Sequence, residues 1–173
     1  GLFRRNEGFF GDVGFVGFVP GPGAALVESP VPYAHLIEFV GDSITAGYGD
    51  EGADQYCAFS GDTENGYASY AAIAARDLDA GAVVVAYSGK GVVQNYGGDR
   101  TEPMPVLYPR ALTNDPGSTW DFTGYTPDAV VVNLGTNDFS APIAPTEFVA
   151  GYVGLLAQIR GFYPSAAIFA VGW

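Results

Sequence analysis

Leu36-Ile37-Glu38-Phe39-Val40 runs directly into Gly41-Asp42-Ser43-Ile44-Thr45, and this junction decides the fold. A short, largely apolar run closed by a Gly-led polar turn reads as a covered strand that delivers a serine at its carboxyl end. Three more runs of this texture follow, at residues 82–87, 129–134 and 167–171. Near-continuous apolar strands separated by helical patterns are expected of a parallel sheet with both faces covered. Between the first two runs, Tyr67, Tyr70, Ala71, Ala74 and Leu78 recur at helical spacing and predict one buried stripe. Between the last two, Phe148, Val149, Tyr152, Leu155, Leu156, Ile159 and Phe162 predict another. The fold class that follows is a three-layer α/β/α, flavodoxin-like sandwich. Residues 88–128, dotted with prolines and without a period, are too long for an ordinary link between strand and helix and mark a functional loop or an insertion.

Upstream the texture differs. Residues 1–34 are glycine-rich, with Val13, Phe15, Gly17 and Val19 at the period-two spacing of a strand and a second short strand expected around residues 24–27. Pro30 and Pro32 then read as a linker. The predicted division is a β-rich piece with its linker over 1–34 and an α/β domain over 35–173.

Composition narrows the function. With 48% apolar and 15% charged residues, the 173-residue chain is neither disordered nor a coiled coil. A net charge of −12 repels a polyphosphate, so nucleic acid is excluded as a partner. One cysteine, Cys57, forms no internal disulfide and reads as an inert thiol, and with a single histidine, His35, there is no zinc-type ligand set. No apolar run reaches the ~18 residues of a membrane span. The chain opens on Gly1 and stops at Trp173 straight after an apolar run, which reads as a fragment. A β piece too short to close a domain predicts unpaired strand edges and exposed apolar surface.

In an open parallel sheet the ligand site lies beyond the carboxyl ends of the strands. Three segments arrive there: Gly41-Asp42-Ser43, Ser88-Gly89-Lys90-Gly91 and Gly135-Thr136-Asn137-Asp138. Acyl transfer needs a hydroxyl that attacks a carbonyl and neutral donors for the charge that develops on its oxygen. Ser43 supplies the hydroxyl and its own N–H, Gly89 an unobstructed backbone N–H, and Asn137 an amide. Each residue also has a purely structural reading: Ser43 as a helix N-cap, Gly89 as a tight turn with Gly91 the rival donor, and Asn137 as a cap of its own loop. Asp138 reads as a loop brace, Lys90 and Arg110 as solvated, and Trp120, Tyr96 and Tyr108 as either sugar platforms or core.

In order along the chain, Gly41-Asp42-Ser43, Gly89 and Asn137 resemble the first three blocks of the SGNH (GDSL-type) hydrolases. The segments Ile37 to Gly49, Tyr87 to Gly98, Met104 to Arg110 and Asn133 to Ser140 are closer still to carbohydrate esterase family 2, acetyl esterases that act on plant polysaccharides such as xylan. Arg4-Arg5-Asn6-Glu7 and Phe15-Val16-Gly17-Phe18 resemble the last strands of that family's N-terminal jelly roll. The resemblance implies a secreted, monomeric enzyme on an acetylated polysaccharide or oligosaccharide, with Ser43, Gly89 and Asn137 catalytic and no metal or cofactor. It also implies a late histidine as general base, and here nothing follows Trp173. His35 precedes the first strand and is expected at the opposite end of the sheet from Ser43, so the 173-residue chain is expected to be nearly inactive. The competing functions are a GDSL-type lipase or thioesterase on other acyl esters and a carbohydrate-binding pseudoenzyme.

Overall fold

A computed structural model describes residues 4–25, 27 and 33–171. Four strands, β1 (His35–Gly41), β2 (Ala80–Ala86), β3 (Ala129–Asn133) and β4 (Ala167–Val171), form one parallel sheet in the order β2-β1-β3-β4. All four lie where the apolar runs place them. Four helices accompany them: α1 (Ser43–Ala46), α2 (Tyr70–Asp77), α3 (Met104–Leu107) and α4 (Pro145–Phe162).

The strand order explains the layers. Right-handed crossovers are the near-universal hand for parallel strands. The chain leaves β1 toward one edge to make β2, then crosses back over β1 to β3 and on to β4. Opposite directions with one hand put α2 on one face and α4, with the 88–128 segment, on the other. The two cores agree. Ile37, Phe39 and Val131 pack on Ala71, Ala74 and Ala75 of α2. Val40, Val130 and Val132 pack on Leu155 and Ile159 of α4 and on Met104, Leu107 and Tyr108.

The α2 stripe departs from its prediction. Ala71 and Ala75 are buried, whereas Tyr67 lies before the helix and Leu78, its C-cap, is exposed. Small alanines let α2 sit close on the sheet, and Tyr67 instead takes the Arg76 guanidinium over its ring at 4.3 Å. On α4, Leu155 and Ile159 are buried but Val149 and Phe162 are exposed. The outer edge of β4 is unpaired among the described residues, with Phe169 and Val171 exposed.

The predicted strand over residues 13–19 does not form. Val13, Phe15, Val16, Phe18 and Val19 are exposed and lie in irregular backbone, because alternation specifies a face only when a neighbouring strand supplies hydrogen bonds. Ala24 and Ala25 are likewise not in a strand, and Pro30 and Pro32 lie outside the described residues.

One charged residue sits inside the sheet. Glu38, 1% exposed, faces the α4 layer and accepts hydroxyls from Tyr108, Tyr125 and Tyr163. Burial, with the Glu38 carboxylate close by, pushes the Tyr108 and Tyr125 phenols far up and Tyr163 to about 12. These bonds pin the 88–128 segment and the end of α4 to the central strand. Tyr108 is therefore core, not a sugar platform.

Candidate active site

The strand order reverses about β1 and β3, and the crevice at such a switch point is where an open α/β sheet binds ligands. At that point β1 ends on Gly41 and the chain turns into α1. The N-cap of α1 is Asp42, whose carboxylate accepts the Ile44 N–H at 3.0 Å. Because Asp42 takes the cap, the capping alternative for Ser43 falls. Among the described residues Ser43 Oγ has no hydrogen-bond partner, and its backbone N–H is one of the orphan donors of a helix start. Ser43 is half-buried, so its hydroxyl is open to a ligand.

Gly89 follows β2 by a short turn. Its φ of +79° lies in the left-handed region that favours glycine, nothing approaches the place of a Cβ, and its N–H has no acceptor among the described residues. Gly91 differs: its N–H is spent on Asn95 Oδ1 at 3.3 Å, and a Cβ there would stand 2.0 Å from the Gln94 carbonyl oxygen and 2.5 Å from Asp138 Oδ2. The rival donor is thus part of the packing, and Gly89 is the free one.

Asn137 ties the three loops together. Its amide donates to Asp42 Oδ2 at 3.1 Å and to the Lys90 carbonyl at 2.9 Å. The partners are the residue before Ser43 and the residue after Gly89. Both amide hydrogens are engaged here, so an oxyanion would draw on Asn137 by sharing one of them. Burial raises the Asp42 carboxyl above the ordinary aspartate range, against the pull of the Ile44 N–H.

Asp138 is the brace that the sequence suggests. Fully buried, it accepts the N–H groups of Val92, Val93 and Gln94 at 2.9, 2.7 and 3.1 Å. Gln94 returns two bonds, to the carbonyls of Asp138 at 2.8 Å and Ala141 at 3.1 Å. The loops after β2 and β3 are one unit. Arg110 corrects its reading as solvated: its side chain is largely buried and pairs with Glu102 and the Thr113 carbonyl. Lys90 keeps a partly solvated ammonium, bonded to the Thr101 carbonyl at 3.2 Å. Cys57 is a half-buried loop thiol. Tyr96 is exposed, and its N–H donates to the Gly89 carbonyl at 2.8 Å. Trp120 is partly exposed beside Tyr125.

His35 starts β1 and lies 3.6 Å from Asp128. From His35 to Gly41 the strand climbs roughly 20 Å at ~3.3 Å per residue, so His35 is remote from Ser43. Beside the Ser43 turn lies an apolar cavity of about 770 Å³, lined by Ile44, Leu134, Phe139, Phe148, Val149 and Tyr152 among others. Three buried acids, Glu7, Glu38 and Glu64, escaped the sequence reading. Their partners lie many tens of residues away, and no local spacing points to them. Among the described residues no cluster of His, Cys, Asp and Glu is suited to hold a metal, and no helix is long and apolar enough to cross a membrane.

The two glycines separate in a simple test. Gly91→Ala is expected to destabilise the fold by roughly 3 kcal/mol through overpacking, and Gly89→Ala by only about 1 kcal/mol of backbone strain. Urea denaturation measures both, and the reverse order would contradict this description of the loop.

Residues 39–173 match the GDSL-like Lipase/Acylhydrolase family. The chain is 46% identical over 172 residues to the cellulase/esterase CelE of Acetivibrio thermocellus, covering 97% of this chain and 20% of CelE. It is 32% identical over 160 residues to an acetylxylan esterase/glucomannan deacetylase of Cellvibrio japonicus, covering 84% of this chain and 44% of that protein. Among solved structures, a family two carbohydrate esterase from Clostridium thermocellum in complex with cellohexaose superposes with a TM-score of 0.80 at 46% identity, over 84% of this chain and 45% of that one. The chain therefore spans less than half the length of each of these relatives.

Proposed function

Because the chain belongs to the GDSL-like lipase/acylhydrolase family, we propose that it is a serine esterase removing O-acetyl groups from a polysaccharide of the xylan or glucomannan kind. The observation that carries this reading is the convergence at Asn137, whose amide joins the Ser43 turn to the Gly89 loop. Ser43 Oγ attacks the acetyl carbonyl carbon, and the oxyanion meets the N–H groups of Ser43 and Gly89 and the Asn137 amide. Collapse expels the sugar alcohol and leaves acetyl-Ser43; water then releases acetate. The Ser43 proton needs an acceptor. Asp42 is committed to Ile44 and Asn137 and His35 is remote, so neither serves as that base, and among the described residues none bonds Ser43 Oγ.

The names of the relatives support the substrate class: deacetylation of xylan and glucomannan for one, a cellohexaose complex for another. Exposed Tyr96, whose backbone N–H bonds the Gly89 carbonyl, supports this with an aromatic side chain of the kind that stacks on sugar rings. A polymeric plant substrate puts the enzyme outside the cell. Within the same reading, residues 1–34 are the end of a β domain and 35–173 the hydrolase domain. Exposed Val13, Phe15, Val16, Phe18 and Val19 support this, since they are apolar surface of the kind a neighbouring strand or sheet covers. One observation favours a second reading. The apolar cavity beside Ile44 has room for a longer acyl chain, as in a lipase or thioesterase. Slow acetate release from acetylated xylan, at the residual rate expected of a serine without its base and lost in Ser43→Ala, is the expected result; unchanged release in the variant would remove Ser43 from the mechanism, and preference for octanoyl over acetyl esters would favour the second reading.

A further inference from the structure

Glu7 and Glu64 take no part in that mechanism, yet Glu7 bonds directly to Ser88, the residue before the Gly89 donor. Glu64 is 0% exposed and Glu7 9%. The Glu7 carboxylate accepts the Ser88 N–H at 2.5 Å on one oxygen and the Ser88 hydroxyl on the other. Its own backbone N–H donates to Glu64 Oε1 at 2.6 Å. Glu64 Oε2 is buried with no partner among the described residues. The segment is held from a second side by the Gly66 N–H, which donates to the Arg5 carbonyl at 2.8 Å. Ser88 immediately precedes Gly89.

We propose that Glu7 is a positioning residue for the oxyanion loop: with Glu64 fixing its backbone, it grips Ser88 by both N–H and hydroxyl and so sets the direction of the Gly89 N–H. This rests on the reading of Gly89 as an oxyanion donor. Gly89 itself is open on its Cα side and is held through its carbonyl, which accepts the Tyr96 N–H at 2.8 Å, so Ser88 is the hold on the N–H side of the turn.

The clamp titrates. Facing Glu7 are the Glu64 carboxyl, the Tyr87 phenol and the Arg4 guanidinium, which bonds the Glu7 carbonyl at 2.5 Å; Asp12 lies beside Tyr87. Burial, reinforced by the Glu64 carboxylate, pushes Glu7 up to about 7 against the pull of the Ser88 donors. The folded carboxyl thus keeps a proton that the unfolded chain releases near 4.5. This contribution to stability is full below 4.5, declines as pH rises toward 7 and is flat beyond. Above about 7 the Glu7 carboxyl carries its charge in a buried site beside Glu64, and the Ser88 grip changes with it.

Amide resonances of Ser88 and Gly89, followed by two-dimensional NMR of the chain from pH 5 to 8.5, test the proposal. In the wild type both are expected to shift with a common midpoint near 7. Glu7→Gln keeps an acceptor for the Ser88 N–H and loses the titration, so both inflections are expected to vanish while the thermal melt stays cooperative. In Glu7→Ala, hydrogen exchange at Ser88 is expected to accelerate at least tenfold. A Gly89 inflection that persists in Glu7→Gln, a wild-type Gly89 that does not move, or unchanged Ser88 exchange in Glu7→Ala would each overturn the proposal. A wild type that titrates in this way, yet whose residual p-nitrophenyl acetate hydrolysis is unchanged in Ser43→Ala, would overturn the esterase reading and support the clamp.

Discussion

Hydrolysis of p-nitrophenyl acetate by a polypeptide of these 173 residues is expected to run on the order of 10⁶-fold below that of a serine esterase with a complete Ser–His pair. The reason is geometric. Ser43 Oγ has no hydrogen-bond partner among the described residues, and the chain's one histidine is at the far end of β1. A serine without a base is an ordinary alcohol. What remains is roughly 10³-fold over water, carried by oxyanion donors and binding. Three variants divide that remainder. His35→Ala is expected to change nothing, because His35 serves Asp128 at the strand entrance. Ser43→Ala removes the nucleophile, and Asn137→Ala takes an oxyanion donor worth about 10²-fold or more. Turnover close to that of a complete family enzyme, or a loss in His35→Ala, would show that a base reaches Ser43 from within the chain.

Asp138→Ala is expected to cost roughly 3–5 kcal/mol, the largest stability loss of any substitution near the site. The carboxylate accepts three backbone N–H groups from consecutive residues of the loop after β2. Truncation strands all three beside a side chain that is fully buried. Asp138→Asn can keep its acceptor oxygen at the Oδ1 place, which serves Val93 and Gln94, but turns an NH2 against the Val92 N–H, so it is expected to recover only part of the loss. Urea unfolding of the two variants measures this. A loss below about 1 kcal/mol in Asp138→Ala would mean that the three bonds are not the brace described. Because the same loop carries Gly89, Asp138→Asn should also lower kcat more than it raises KM in a catalytically competent form, since Asp138 acts on the donor loop only through the N–H groups of Val92, Val93 and Gln94.

The parallel sheet was legible because its information is local. Apolar runs of strand length, closed by Gly-led turns, locate β1 to β4, and a right-handed crossover rule then places α2 and α4 on opposite faces. The helix stripes were less legible. Tyr67 and Leu78 satisfy the period of α2, but cap positions decide where a helix begins and ends, and both fall outside the buried turn. The expected strand over 13–19 fails for a related reason: period two describes a face, and a strand exists only where another supplies its hydrogen bonds.

For the site, the sequence by itself determined which residues arrive at the carboxyl ends of β1, β2 and β3, and so the set Ser43, Gly89 and Asn137, with a distant His35. Side-chain chemistry and strand order are properties of neighbours along the chain. Tertiary structure alone decided which donors are free. It spent the Gly91 N–H on Asn95, gave the helix cap to Asp42, and set both Asn137 hydrogens on Asp42 and Lys90. It also explained Glu38, an acid inside an apolar run, by bringing three tyrosine hydroxyls to it from 70 to 125 residues away. Glu7 and Ser88 meet across 81 residues in the same way. A buried polar group must find a partner, but that partner is chosen by how the layers close.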